Sequence, residues 1–377
     1  MKTIKIFESD FDSAEVDAVR DVVVSGWLTN GAVTKRFENL IGDTLLGGVQ
    51  SAVAVSSCTA AIHLALIASD VTAGDEVIVP ALTFVSDFNV VRAVGATPIL
   101  CDVASLTNWT PSLQNIQDVV SARTKCCIIV HFAGIPCLDI FKIREFCINN
   151  NIVLIEDVAH AAGASISGEY CGTIGDYGAF SFYSNKNIST GEGGCITTKH
   201  DVKALERLRS HGMTTSTMDR DKGRAFTYDV SEVGLNYRID EMRSALGIAQ
   251  LDKFSIKHKK RRSLVQKYLQ LLPDSVTTPF SGALQNETIC SVDHIFPILL
   301  PLNINRDQLR TSLLDSGIQT TMHYPEPWSF SAYDQQFSEN DCPVVSEITK
   351  RELTLPLHTR MSLDDVAYIC SSLKSYL

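Results

Sequence analysis

Between residues 50 and 250, short apolar runs alternate with longer stretches whose apolar positions recur every third or fourth residue. Ala52–Val55, Glu76–Val79, Thr97–Cys101, Cys126–Val130 and Ile152–Ile155 are the short runs. Each is too brief for a stable helix, and together they predict strands. Thr59–Ser69, with apolar Ala61, Ile62, Ala65, Leu66 and Ala68, predicts a helix, as do Val85–Val94 and Leu138–Asn149. Strands apolar on both faces, separated by helices, predict an α/β fold with a mostly parallel central sheet covered on both sides. Asp12, with Glu15 three positions later, predicts a capping box that opens an N-terminal helix.

After residue 250 the texture changes. A polar helix is expected through Lys257-His258-Lys259-Lys260-Arg261-Arg262, Pro273 and Pro279 interrupt, and shorter elements follow. This predicts a large domain at 1–250 and a smaller C-terminal α+β domain at 251–377. The basic run has no interleaved aromatics, so it is expected to be a solvated helix face.

Composition narrows the function classes. The 377 residues include 33 Lys and Arg against 43 Asp and Glu, a formal charge of −10, which argues against a nucleic-acid platform. No 18-residue apolar stretch predicts a transmembrane helix, and the N-terminus turns acidic by Glu8 without the apolar core of a signal peptide. The 11 cysteines are odd in number and contain no C-x-x-C pair, so reduced core thiols in a cytoplasmic protein are expected and no metal site is indicated.

The segment Phe180–Gly194 carries candidate chemistry: an apolar strand ends, Lys186 follows in a polar turn, and a Gly-rich bend leads to the strand Cys195–Thr198. An amine buried at strand ends would have a lowered pKa and could bond a carbonyl carbon; on its own such a lysine is as readily a solvated one. Asp157, 29 residues earlier, ends another apolar strand, where a carboxylate calls for a cation or caps a helix through Val158–Ala161. His160 lies near the same point. Ser56-Ser57-Cys58-Thr59-Ala60 joins a strand to a helix and offers hydroxyls and unpaired N–H groups, either a phosphate cradle or ordinary capping. Walker A, G-x-G-x-x-G, H-E-x-x-H and G-x-S-x-G patterns are absent. An anion cradle, an acid and a lysine are the three groups that a phosphorylated pyridine aldehyde needs.

These pieces resemble the DegT/DnrJ/EryC1/StrS sugar aminotransferases, enzymes of fold-type I that use pyridoxal 5'-phosphate, along nearly the whole chain. The resemblance runs through Ser25–Gly31, Gly74–Pro80 with Thr83-Phe84, Val130–Gly134, Glu156–His160, Ser181–Gly194, and Gly234–Arg238 with Gly247 and Gln250-Leu251. It implies that Lys186 bonds the cofactor, that Asp157 partners its ring nitrogen, that Phe84 stacks on the ring and that His160 approaches the phenolic oxygen. Thr59, Ser181 and the amide of Cys58 or Ala60 are implied to hold the phosphate. Asn236 is implied to reach the neighbouring subunit's cofactor in a homodimer with shared sites, while Thr29, Tyr324 and Arg238 are assigned to substrate.

The activity implied is transfer of an amino group from L-glutamate to a nucleotide-linked keto-deoxysugar, in the biosynthesis of O-antigen, capsule or a related surface glycan. A sugar dehydratase of the same family and a non-catalytic regulator are the alternatives; the dehydratases carry histidine in place of Lys186. Arg220, Lys222 and Arg224 are candidates for nucleotide contact or simply loop. Two departures from the family pattern stand out. Cys58 replaces a frequent glycine in the phosphate loop, and Trp328 stands where His323–Trp328 would commonly end in histidine.

Overall fold

The computed structural model describes residues 3–215, 223–224, 226–333 and 335–377. Two helices, α1 (Ser13–Ser25) and α2 (Ala32–Leu45), lead into the expected alternation: β1 (Ala52–Val55), α3 (Cys58–Ala68), β2 (Glu76–Pro80), α4 (Ser86–Ala93) and β3 (Thr97–Cys101). It continues through α5 (Leu113–Val119), β4 (Thr124–Val130), α6 (Ile140–Asn149) and β5 (Val153–Asp157). Short strands β6 (Ser165–Ile166) and β7 (Glu169–Tyr170) precede β8 (Tyr177–Ser181), β9 (Gly194–Thr198) and α7 (Val202–Leu208). Asp12 does cap α1, with Glu15 returning the bond to the Asp12 amide.

The central sheet has seven strands in the order β1-β9-β8-β5-β4-β2-β3. The neighbours from β3 across to β8 run parallel, whereas β9 is antiparallel to both β8 and β1. The carboxyl ends of β1, β2, β4, β5 and β8 therefore share one edge with the amino end of β9. Neighbouring residues on each strand point to opposite faces. Val53 and Val55 join one apolar cluster with α3 and α4, while Ala52 and Ala54 join another with Phe37, Phe180 and Phe182. Both faces are covered, which is why these strands read as unbroken apolar runs. Nine of the eleven cysteines are buried, where a thiol packs as a small hydrophobe.

α2 lies outside the sequence expectations, although Phe37, Ile41 and Leu45 form its buried stripe at intervals of four. Its N-cap, Gly31, has no side chain to offer. Glu241, at the start of α8 (Glu241–Asp252), caps it instead: its carboxylate accepts from the amides of Gly31, Val33 and Thr34 at 2.7–2.9 Å. A buried anion at a helix N-terminus satisfies orphan donors and opposes the dipole.

The basic run departs from expectation. It lies on α9 (Phe254–Leu271), and Arg261 points inward, donating to the carbonyls of Asp293, His294 and Leu357. Arg262 pairs with Asp293 at 3.0 Å, and Lys257 donates to the Asp10 carbonyl. Burial brings the Arg261 guanidinium down to about 10. These cations tie irregular backbone to the helix, a role invisible in a helical wheel. Beyond them, β10 (Ile289–Cys290) pairs with β6, and β11 (Phe296–Leu299) pairs antiparallel with β12 (Glu352–Leu355). A further apolar cluster joins Ile4 to α9, β11, β12 and the terminal helix Leu363–Tyr376. A bridge between Thr321 and Thr354 anchors the segment that brings His323 and Tyr324 to the edge of the central sheet.

Candidate active site

The strand ends enclose a cavity of about 400 Å³. Cys58 and Thr59 enter it after β1, Thr83 and Phe84 after β2, Asp157 at the end of β5 and His160 beyond it, and Ser181 and Lys186 from the end of β8, with Tyr324 from the C-terminal segment. Ligand sites of α/β sheets lie at this edge because the strands stop there and the loops diverge.

The two acids at the end of β5 are separated by the pleat. Glu156 is fully buried and turns away from the cavity, accepting from the amides of Gly172, Ile174 and Gly175 at 2.6–2.9 Å and from His131 Nε2 at 2.8 Å. The Cys137 amide donates to His131 Nδ1, so the imidazole proton is on Nε2, where Glu156 takes it. Asp157 faces the cavity. Its Oδ1 accepts from the Ala159 amide at 2.8 Å and from Cys58 Sγ at 3.7 Å. The expected helix at Val158–Ala161 is instead a series of turns, with Asp157 closing the first through Ala159. Burial raises the Asp157 carboxyl above its ordinary range, and the Ala159 amide and the Lys186 charge pull it back.

Lys186 follows β8 in a turn whose amide donates to the Tyr183 carbonyl at 2.9 Å. Desolvation by the cavity walls lowers its amine to about 8, against the opposing pull of Asp157 and Cys58. The Gly-rich bend beyond it has a steric cause. A Cβ on Gly194 would meet the Phe180 carbonyl oxygen at 2.5 Å and the Cys58 amide nitrogen at 2.7 Å, so a side chain there would push apart β8 and the loop that opens α3.

At the head of α3, the Ala60 amide is committed to Ser57 Oγ at 3.1 Å, and Ala60 does not line the cavity. The amides of Cys58 and Thr59 belong to the first turn, where no preceding helical carbonyl exists to receive them. Cys58, Thr59 and Ser181 line the same cavity, and amides and hydroxyls at a helix N-terminus are donors of the kind that can hold an anion.

His160 is buried, and its Nδ1 accepts from the Ala133 amide at 3.3 Å. Nε2 therefore carries the proton and donates to the Tyr324 hydroxyl at 2.7 Å, leaving that hydroxyl's own hydrogen free to turn toward the cavity. Burial, with the Lys186 and His323 charges, lowers the His160 imidazole well below its usual range. Phe84 remains 53% exposed, its ring tilted against that of Tyr324 with centroids 5.7 Å apart.

Other expected site residues lie elsewhere in the chain. Asn236 bridges to Ser210, Thr29 is exposed before α2, and neither lines this cavity. Arg238 lines a separate cavity of about 420 Å³ with Lys35, Arg207 and Arg209. Trp328 packs against the cluster shared by α3 and α4, outside the cavity. Arg224 is exposed, and Arg220 and Lys222 lie outside the described residues. The sequence reading also passed over Asp87, a fully buried carboxyl on α4.

The arrangement fits a phosphorylated aldehyde of a protonated nitrogen ring: helix-end amides for the phosphate, a buried carboxyl for the ring, and a weakly basic amine for the aldehyde. The reacting form of that amine is unprotonated. Bonding of pyridoxal phosphate to the cofactor-free protein should therefore slow about tenfold per unit as pH falls below about 8, and level off above it. Stopped-flow absorbance across pH 6–10 measures this, and a flat profile would contradict the lowered amine.

A profile of the DegT/DnrJ/EryC1/StrS aminotransferase family matches residues 9–374. The GDP-perosamine synthase of Escherichia coli O157:H7 is 30% identical over 377 residues, which span 100% of this chain and 99% of the synthase. The aminotransferase TlmJ from Streptoalloteichus hindustanus aligns with a TM-score of 0.89 at 30% identity, over 99% of this chain and 98% of its own. Spr1654 from Streptococcus pneumoniae has been solved in a PLP form and a PMP form. The two align with TM-scores of 0.91 and 0.90 at 28% identity, over 99% and 100% of this chain and 98% of theirs.

Proposed function

The chain belongs to the DegT/DnrJ/EryC1/StrS aminotransferase family and uses pyridoxal 5'-phosphate, and from that premise we propose that it transfers the amino group of L-glutamate to a ketone of a nucleotide-linked deoxysugar. The observation that carries the reading is the convergence of Lys186, Asp157 and the head of α3 on one cavity. When bound, the cofactor draws electrons from the carbon that gains or loses a proton and carries the amine between two half-reactions.

The chain's own residues supply the rest. Asp157 accepts the ring N–H and keeps the ring protonated. Lys186 holds the aldehyde between turnovers and, once displaced, moves a proton through Nζ, for which an amine near 8 is well matched to neutral pH. Thr59, Ser181 and the Cys58 amide take the phosphate, Phe84 covers one ring face, and His160 with Tyr324 presents a hydroxyl to the phenolic edge. Tyr324 also belongs to the substrate side of the cavity.

Thr29, Asn236 and Arg238 fit a homodimer in which each chain completes its partner's site, since within one chain they stand apart from the cavity. The name of the Escherichia coli relative, a synthase of a GDP-linked sugar, supports a sugar nucleotide as acceptor; surface polysaccharide, such as O-antigen or capsule, as the destination is part of the same proposal. Among the described residues no helix is long and apolar enough to cross a membrane. A cytoplasmic location, where glutamate and nucleotide sugars are available, belongs to the same proposal.

The test is a pair of half-reactions. Glutamate alone should convert the visible band of the loaded protein to a near-ultraviolet one and release 2-oxoglutarate stoichiometrically. A nucleotide keto-sugar should then restore the visible band and yield an amino sugar by mass spectrometry, with parallel double-reciprocal plots. A spectrum indifferent to glutamate would overturn the proposal.

A further inference from the structure

On the C-terminal wall of the cavity one side chain has no part in the chemistry above. His323 lines the cavity beside Tyr324, with its imidazole half-buried. Its position is set by β12. The backbones of Thr321 and Thr354 exchange hydrogen bonds of 2.9 and 3.2 Å, which bring residue 323 alongside that strand. Glu352 and Thr354, two apart on β12, turn to the same side, and both are buried. The His323 amide donates to Glu352 Oε2 at 3.1 Å, Thr354 Oγ1 donates to Glu352 Oε1 at 2.6 Å, and His323 Nδ1 lies 3.0 Å from Thr354 Oγ1.

These contacts place a hydrogen. A carboxylate can only accept, so the Thr354 hydrogen is committed to Glu352. The Thr354 oxygen then offers only lone pairs, and the hydrogen between it and the imidazole belongs to Nδ1. A neutral imidazole has a single N–H, which leaves Nε2 bare. Nε2 lies across the ring from the Thr354 contact, and among the described residues no group is hydrogen-bonded to it, so it opens onto the cavity. Burial and then the Lys186 charge hold the imidazole down to about 4, hence neutral. Burial lifts the Glu352 carboxyl to about 8, against the pull of the Thr354 hydroxyl, the His323 amide, and Arg306 and Arg310 on the helix Arg306–Asp315. The relay is complete once that carboxyl is ionised.

We infer that Glu352 and Thr354 are positioning residues that hold the hydrogen of His323 on Nδ1, leaving Nε2 to accept from a hydroxyl of the acceptor sugar. That the donor is a sugar rests on the proposed function; the placement of the hydrogen does not. The two substrates differ at this point. A keto-sugar has hydroxyl hydrogens to give. Glutamate, apart from the amine that reacts, offers carboxylates, whose lone pairs would oppose that of Nε2. A bare nitrogen on this wall therefore favours one substrate and turns the charged ends of the other elsewhere.

Nitrogen NMR of the cofactor-free full chain labelled with 15N-histidine tests the placement at about pH 9, above the Glu352 carboxyl. The resonances absent from His323→Gln identify the ring, and they should show a hydrogen on Nδ1 and a bare Nε2. A hydrogen on Nε2 would overturn the inference. Thr354→Val removes the hydroxyl and should move the hydrogen toward Nε2, whereas Thr354→Ser should keep it on Nδ1. An unchanged tautomer in Thr354→Val would overturn the relay. If that variant fails to fold, the wild-type spectrum still decides.

Kinetics test the role toward the sugar. Thr354→Val should lose roughly three- to tenfold in kcat/KM for the nucleotide keto-sugar that restores the visible band, the contribution of one hydrogen bond, with a smaller loss in the glutamate half-reaction. Thr354→Ser should recover most of it. Equal losses in the two half-reactions would mark a merely structural role and overturn the assignment to the sugar. If glutamate leaves the visible band unchanged, the proposed function fails, and the NMR comparison still decides His323.

Discussion

Replacing Lys186 with alanine is expected to reduce turnover by about 10⁴-fold or more, because one nitrogen supplies both the bond to the aldehyde and the proton transfers. Among the described residues, no other lysine lines the cavity. The other cations near this stretch of chain, Lys199 and Lys203, are directed elsewhere: Lys199 donates to the Ile174 carbonyl and Lys203 lines the second cavity. Borohydride treatment should fix the cofactor to the wild-type chain as a mass increment on the peptide carrying residue 186, and leave the variant unmodified. Retention of more than a tenth of wild-type activity, or fixation at another lysine, would remove Lys186 from the centre of the reaction.

Asp157→Asn is expected to lower kcat on the order of 10²–10³-fold, a loss typical of deleting one preorganised electrostatic partner. The amide keeps the shape of the side chain and can still accept from the Ala159 amide, so folding should be preserved. The ring nitrogen, however, loses the anion that keeps it protonated. Thermal melting and steady-state kinetics on the same preparations separate the two effects. A variant with kcat within threefold of wild type and an unchanged cofactor spectrum would show that another group holds the ring proton.

The strands were legible because each is buried on both faces, which leaves no polar alternation to confuse the reading. The direction of β9 was not legible: an apolar run carries no sign of whether its neighbour is parallel, and the connection through residues 182–193 brings the chain back beside β8. α2 was missed because its capping group, Glu241, lies some two hundred residues away. Arg261 was read as solvated because its acceptors are carbonyls of distant loops. Asp87 resembled an ordinary acid in the first turn of a helix, a position that suits the dipole in any protein.

At the site, sequence alone offered Lys186, Asp157 and the Ser56–Ala60 loop as separate candidates, each with an ordinary alternative. Their assembly belongs to the sheet. The pleat sends Glu156 to a backbone turn and Asp157 to the cavity, although the two are adjacent. The second cavity, with Arg238 and no share in the first, could not have been inferred from spacing.

What the amino-acid order determined unaided was local: which segments are strands or helices, where the chain turns, and which residue types stand at strand ends. Those outcomes follow from steric preferences and apolar periodicity within a few neighbours. The tertiary structure decided everything that depends on distance through space, namely the meeting of residues 58, 157, 186 and 324, and the solvent-poor walls that weaken a lysine's basicity. Electrostatic character is a property of surroundings, and those surroundings come from parts of the chain far apart in sequence.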